Sequence, residues 1–313
     1  MVRISHLAAG LGLSTAAANA FSIPGPDENG VQVAMGFIPE EGFSVQGGPV
    51  VTAETTLYET TALRAMGDLV AEPSNHTDTE VGRRQIWGGD DRVDWTNSDY
   101  PYSAIGRLTW SNGIICTGTL VGPRHMITAR HCTPQPGEAI SVRFSPFFYD
   151  GETRFSGSQI IFLIFPEQQV TRYIYTSNRE GECNYGEDWA VHILQDRIGE
   201  QRGWFGARTM SAEWLNRNIF YNFGYPVDRN NGQRPIRSGG GTLVRMGGCS
   251  ADSPTRANID VWGGQSGGPL WEYPGTGDRL IMGTLFGYGT EYSTFATGQA
   301  MVNAIIQART DYP

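Results

Sequence analysis

The sequence predicts an all-β protein closed by a C-terminal helix, and three observations carry that expectation. From Tyr100 onward, short apolar runs recur at intervals of roughly 10 to 25 residues, broken by Gly, Pro and Asn. Glycine is abundant, at 41 of 313 residues, which favours turn-rich β architecture over a helical bundle. At the end of the chain the rhythm changes, because Met301, Val302, Ile305, Ile306 and Ala308 repeat at helical spacing.

Taken in order, the first element is a secretory signal over residues 1–20. Arg3 supplies a short positive region, Leu7 to Ala18 a weakly apolar stretch, and Ala18 and Ala20 the small residues of a cleavage site before Phe21. Residues 21–84 read as a propeptide. They contain no cysteine and no tryptophan, carry ten acids against three arginines, and end in Val81-Gly82-Arg83-Arg84. A dibasic pair on a polar stretch is what processing proteases cut, so Gln85 is the expected mature N-terminus. Strands are then expected at 104–110, 113–121, 140–144, 159–165, 189–194, 218–225, 235–246 and 280–287, forming a sandwich or barrel.

Composition excludes several chemistries. All 23 basic residues are arginines, so no Ser-Lys dyad, Schiff base or P-loop lysine is available. A net charge of -9 argues against a dedicated nucleic-acid binder. Most of that acidity lies in residues 21–84, which carry -7, whereas 85–313 carry only -3. No run approaches the length of a membrane span. The four cysteines are even in number, none in a CxxC arrangement, and their spacing leaves three pairings open. Nothing clusters His, Cys and acids at ligand spacing, so neither metal nor cofactor is expected.

Three local patterns point to chemistry. Gly263-Gly264-Gln265-Ser266-Gly267-Gly268-Pro269 surrounds a serine with glycines, leaving the hydroxyl accessible and the backbone free to turn sharply. The same residues satisfy the nucleophile elbow of α/β-hydrolases, but that arrangement needs a histidine after the serine, and the last histidine is His192. Met126-Ile127-Thr128-Ala129-Arg130-His131-Cys132 places an imidazole at the end of an apolar strand. Asp188-Trp189-Ala190-Val191 heads another apolar strand with a carboxylate, which, once buried, needs a donor such as the Nδ1–H of His131. The order His131, Asp188, Ser266 is that of chymotrypsin-like enzymes. Glu187 is expected in solvent, His192 as a structural histidine inside a strand, and His125 outside the chemistry.

On these motifs the chain resembles the chymotrypsin-fold serine proteases, most closely the glutamyl endopeptidase branch and its fungal relatives. Gly88-Gly89-Asp90-Asp91-Arg92, the stretch from Tyr100 to Ile105, Gly224-Tyr225-Pro226 and Ile259-Asp260-Val261-Trp262 are similar to segments found there, and the resemblance covers about 85–310. It implies two antiparallel six-stranded β-barrels with the active site between them. His131 and Asp188 would come from the first barrel and Ser266 from the second. Gly264 and Ser266 would supply the oxyanion hole. The resemblance also pairs Cys116 with Cys132, leaving Cys183 with Cys249.

Some positions depart from that pattern. Arg130 replaces a small residue before the histidine and is expected to be tolerated at an exposed position. Gln265 stands where trypsins keep the aspartate that receives a freed N-terminus, so activation is expected without that ion pair. The specificity pocket implied by the resemblance comprises Asp260, Val261, Thr284 and Gly287. Thr284 occupies the position matched to the glutamate-binding histidine, and Val261 that of a threonine. Asp260 lies where trypsins bind Arg or Lys, so acidic, basic and broad preferences all stay open. The expectation is a secreted, monomeric serine endopeptidase acting on proteins or peptides, with its own propeptide as inhibitor or folding aid and neither nucleic acid nor membrane as partner. The alternative is a catalytically silent binding protein on the same fold.

Overall fold

Strands buried on both faces dominate this chain. Every residue of Ile105–Trp110, Ile114–Leu120, His125–Ala129 and Trp189–Leu194 is buried, which is why they read as continuous apolar runs without clean alternation. A closed barrel fills its interior with one face and covers the other with neighbouring elements. The computed structural model describes residues 23–41, 53–75, 89–153, 168–176, 185–246, 253–272 and 279–313.

The first barrel comprises β1 (Ile105–Trp110), β2 (Ile114–Leu120), β3 (His125–Ala129), β4 (Val142–Pro146), β5 (Gln168–Thr176) and β6 (Trp189–Leu194). All its pairings are antiparallel, and the ring runs β1-β2-β3-β6-β5-β4 and back to β1. The second comprises β7 (Asn218–Gly224), β8 (Ile236–Met246), β9 (Thr255–Ala257), β10 (Pro269–Glu272), β11 (Leu280–Tyr288) and β12 (Ser293–Ala296). Its ring runs β7-β8-β9-β12-β11-β10 and closes on β7, again antiparallel throughout. The two rings have one topology, displaced by six strands, although no repeat is visible in the sequence.

The all-β class, the two six-stranded barrels and the C-terminal helix are thus as expected. Helix Gln299–Asp311 follows the second barrel in sequence but returns to the first, burying Met301, Val302, Ile305 and Ala308 in that barrel's core cluster. Four strands of the two rings went unpredicted: β5, β9, β10 and β12. Three of them are only three or four residues long, too short to show a period. The expected strand at 159–165 lies outside the described residues, as do the signal, the Arg83-Arg84 site and Gln85.

Parts of the predicted propeptide are integral to the packing. Strand Glu54–Tyr58 adds in parallel to β5, and helix Thr60–Ala65 buries Leu63. Asn303 donates through Nδ2 to the carbonyls of Leu63 (2.7 Å) and Gly67 (2.9 Å), tying that helix to the C-terminal one. Ala71 and Ala207 exchange backbone hydrogen bonds of 2.9 and 2.8 Å. A disulfide joins Cys116 in β2 to Cys132 in the turn after β3, with Cα atoms 6.3 Å apart. Cys183 and Cys249 lie outside the described residues. Among the described residues no helix is long and apolar enough to cross a membrane.

Candidate active site

Strand pairing brings the first two groups together. In the β3–β6 ladder Ala129 faces Trp189, so the residues just beyond each strand end, Arg130-His131 and Asp188, become neighbours. The Arg130 N–H donates to the Asp188 carbonyl at 3.1 Å, and the His131 N–H to Asp188 Oδ1 at 3.1 Å. Those two backbone bonds orient the carboxylate so that Oδ2 lies 2.6 Å from His131 Nδ1. With Nδ1–H donated to Asp188, Nε2 is left as the acceptor, and it lies 2.6 Å from Ser266 Oγ. The Phe286 ring packs perpendicular to the imidazole, with centroids 5.5 Å apart.

Ser266 reaches this place on a tight loop of the second barrel. The Gln265 N–H donates to Trp262 O and the Gly268 N–H to Gln265 O, closing two successive turns around it. Gly264 adopts φ +102°, and a Cβ there would collide with the Tyr225 carbonyl, so glycine is required on both counts. The loop is held to the first barrel as well: Thr117 N–H donates to Ser266 O (2.7 Å) and Thr117 Oγ1 to Gly264 O (2.9 Å).

Gln265 is fully buried beneath this loop. Its Oε1 accepts from the Trp262 N–H at 2.9 Å and its Nε2 donates to Asn222 Oδ1 at 3.0 Å. A neutral amide thus braces the loop from within. The N–H groups of Gly264 and Ser266 point into one hollow and donate at 2.6 and 2.9 Å to a single oxygen, the carbonyl of Ala34. Two N–H groups converging on one carbonyl beside a hydroxyl–imidazole–carboxylate chain can stabilise the oxyanion of acyl transfer.

The remaining residues singled out from sequence separate. Asp260 is exposed, and its Oδ2 accepts from the Asp91 N–H at 3.2 Å. Val261 is buried in the apolar core of the second barrel together with Leu285 and Ala34. Thr284 and Leu285 are consecutive in β11 and face opposite ways, so Thr284, also buried, is turned from the face that holds Leu285. Gly287 lies under the backbone of Gln32, whose carbonyl a Cβ would strike. Arg130 lays its guanidinium over the Tyr175 ring, 4.4 Å from the centroid. Glu187 is buried, not solvated, and pairs with Arg64 of the 53–75 segment at 3.1 Å. His192 meets Thr133 Oγ1 at 2.9 Å, and its burial pushes its pKa down to about 3. His125 bonds Ala308 O through Nε2 and is held down to about 4, mainly by burial. Sequence reading missed Asn222, Thr117, Leu285 and Ala34; of these only Asn222, a lone amide in an apolar strand, carries a local signal.

Two matched barrels with this constellation in the cleft between them define the chymotrypsin-like class. The chain belongs to the trypsin family, whose family model, described as Trypsin, matches residues 92–305. It is 29% identical over 204 residues to a glutamyl endopeptidase of Bacillus licheniformis, a match covering 64% of this chain and 59% of that relative's length. Among solved structures it is similar to a Glu endopeptidase in complex with MPD, at TM-score 0.57 and 23% identity over 71% of this chain and 98% of the other. The protease Anisep of Arthrobacter nicotinovorans gives TM-score 0.50 at 18% identity, over 68% and 98%. Human heparin binding protein gives 0.51 at 14%, over 71% and 97%. These structural likenesses speak to the fold alone.

Proposed function

We propose that the chain is a serine endopeptidase made as a secreted precursor, with a signal at 1–20, a propeptide at 21–84 and a monomeric protease domain at 85–313. The observation that carries this is the unbroken run from Asp188 Oδ2 through His131 to Ser266 Oγ, with links of 2.6 Å each, beside two convergent N–H groups. Ser266 Oγ attacks the carbonyl carbon of a peptide bond while its proton passes to His131 Nε2. Asp188 stabilises the imidazolium and fixes its tautomer. The tetrahedral oxyanion accepts from the Gly264 and Ser266 N–H groups, each worth about 3 kcal/mol. Collapse breaks the C–N bond, His131 returns its proton to the leaving amine, and water then hydrolyses the acyl-enzyme through the same groups.

An active-site phosphonate tests this reading on the secreted, processed protein. Labelling at Ser266, lost in Ser266→Ala, is the expected result. A folded, processed protein that takes no label would instead be a silent binding protein, as the likeness to a protein named for binding heparin allows for this fold.

A further inference from the structure

We propose that residues 31–37 occupy the active site as a substrate would, which makes the primary pocket one for a small aliphatic residue and puts the Ala34–Met35 bond at Ser266. The proposal rests on the protease reading above. Gln32–Val33 pairs antiparallel with Tyr288 and Gly287 of β11, and Gly36–Phe37 pairs antiparallel with Ile115 and Ile114 of β2. The segment therefore enters along the second barrel, leaves along the first, and crosses the cleft between the two pairings. At the crossing, the Ala34 N–H donates to Phe286 O at 3.2 Å, and its carbonyl fills the two-donor hollow of Gly264 and Ser266. That carbonyl belongs to the bond joining Ala34 to Met35, and Ser266 has no exposed surface with the segment in place.

The fit is built on both sides. Glycine at 287 lets the Gln32 carbonyl approach β11, and Gly263 has the Met35 carbonyl 2.6 Å from where its Cβ would stand. Gly36 packs on Val227 and the Gly264 backbone, where any side chain would clash. Both ends are anchored. Upstream, Tyr185 OH donates to Asp27 and accepts from Asn29 Nδ2 (3.1 Å), while its ring stacks on Phe286. Downstream, Arg107 donates to Glu41 at 2.8 Å and Gln233 does so at 2.5 Å.

The pocket follows from the occupant. Ala34 is fully buried and belongs to the same apolar cluster as Val261 and Leu285. Asp260, the one acid of the predicted pocket, is exposed and engaged by the Asp91 backbone. Neither a glutamate nor an arginine finds a partner in such a pocket, whereas a methyl group fills it. Because Gln265 already braces the nucleophile loop, latency of the precursor comes from occupancy of a finished site.

The test uses the full chain in three forms: unaltered, Ala34→Trp and Gly36→Val, the last two each expelling the segment by steric clash. Phosphonate labelling of Ser266 should be at least tenfold faster in the variants, and the freed enzyme should cleave peptides with Ala before the scissile bond at least tenfold faster than those with Glu or Arg. Equal labelling of all three folded forms, or a preference for Glu or Arg, overturns the proposal while leaving the protease reading standing. No labelling of any form, nor of the processed protein, instead overturns the protease reading and this proposal with it. If one variant fails to fold, as judged by circular dichroism, the other decides.

Discussion

At the scale of single residues, the site depends on groups that act as a unit. Ser266→Ala and His131→Ala should each lower kcat/KM on the order of 10⁴–10⁶-fold, and the double variant should fall no further, as steady-state kinetics on a peptide substrate will read. Asp188→Asn should cost about 10⁴-fold, because it presents the wrong hydrogen-bond partner to Nδ1. Gln265→Ala leaves the buried Asn222 Oδ1 and the part-buried Trp262 N–H without the partner Gln265 supplies. It should destabilise by about 1–3 kcal/mol in denaturant titration and lower kcat more than KM rises, since the loop it braces carries the oxyanion donors. Two neighbouring carboxylates set the acid-side pH dependence in opposite directions. Burial, reinforced by the nearby Asp260, pushes Asp91 up from 3.8 to about 6, so the folded chain keeps a proton that the unfolded chain releases. Stability should therefore fall as pH rises through that window, and Asp91→Asn should flatten the slope measured by thermal melts at pH 4 to 6. Hydrogen bonds from Arg92 hold Asp90 down to about 2, so its contribution is present above pH 3.8 and is lost only as pH falls toward 2.

At the scale of elements, legibility followed length and burial. Trp189–Leu194 is read from sequence to the residue, because five apolar positions around the single His192, between polar flanks, leave few alternatives. β9, β10 and β12 escape because three or four residues cannot display a period, and their strand state is imposed by barrel closure. Glu187, expected in solvent, is buried for a related reason: its ion-pair partner, Arg64, is 123 positions away in sequence. The disulfide clamps the turn that carries His131, closing a loop with a sequence separation of 16. Replacing both Cys116 and Cys132 by Ser should cost about 3 kcal/mol on the chain-entropy model. It should also lower kcat, because the histidine loses a constraint one residue away; a normal kcat in the folded double variant would show that the β3–β6 ladder alone positions His131.

For the whole molecule, the N-terminal segments and the catalytic barrels form one packed body. Strand Glu54–Tyr58, the Asn303 amide and the Ala71–Ala207 exchange hold the 53–75 segment in place by contacts that a cut after Arg84 does not touch. Activity should therefore lag behind that cut, as gel bands followed alongside hydrolysis of an alanine peptide will show. Activity rising in step with the cut would mean that cleavage alone releases the site.

The sequence by itself determined the β class, the family, and the identity and order of His131, Asp188 and Ser266, because each stands in a short motif whose residues are contiguous. Tertiary structure alone decided which groups face the pocket and what lies in it. Asp260 turns out to bond the Asp91 backbone, Leu285 and not Thr284 joins Val261, and Ala34 enters from 232 residues upstream of the serine it faces. These are contacts between distant parts of the chain, made when two barrels close against each other, and no local pattern of residues encodes them.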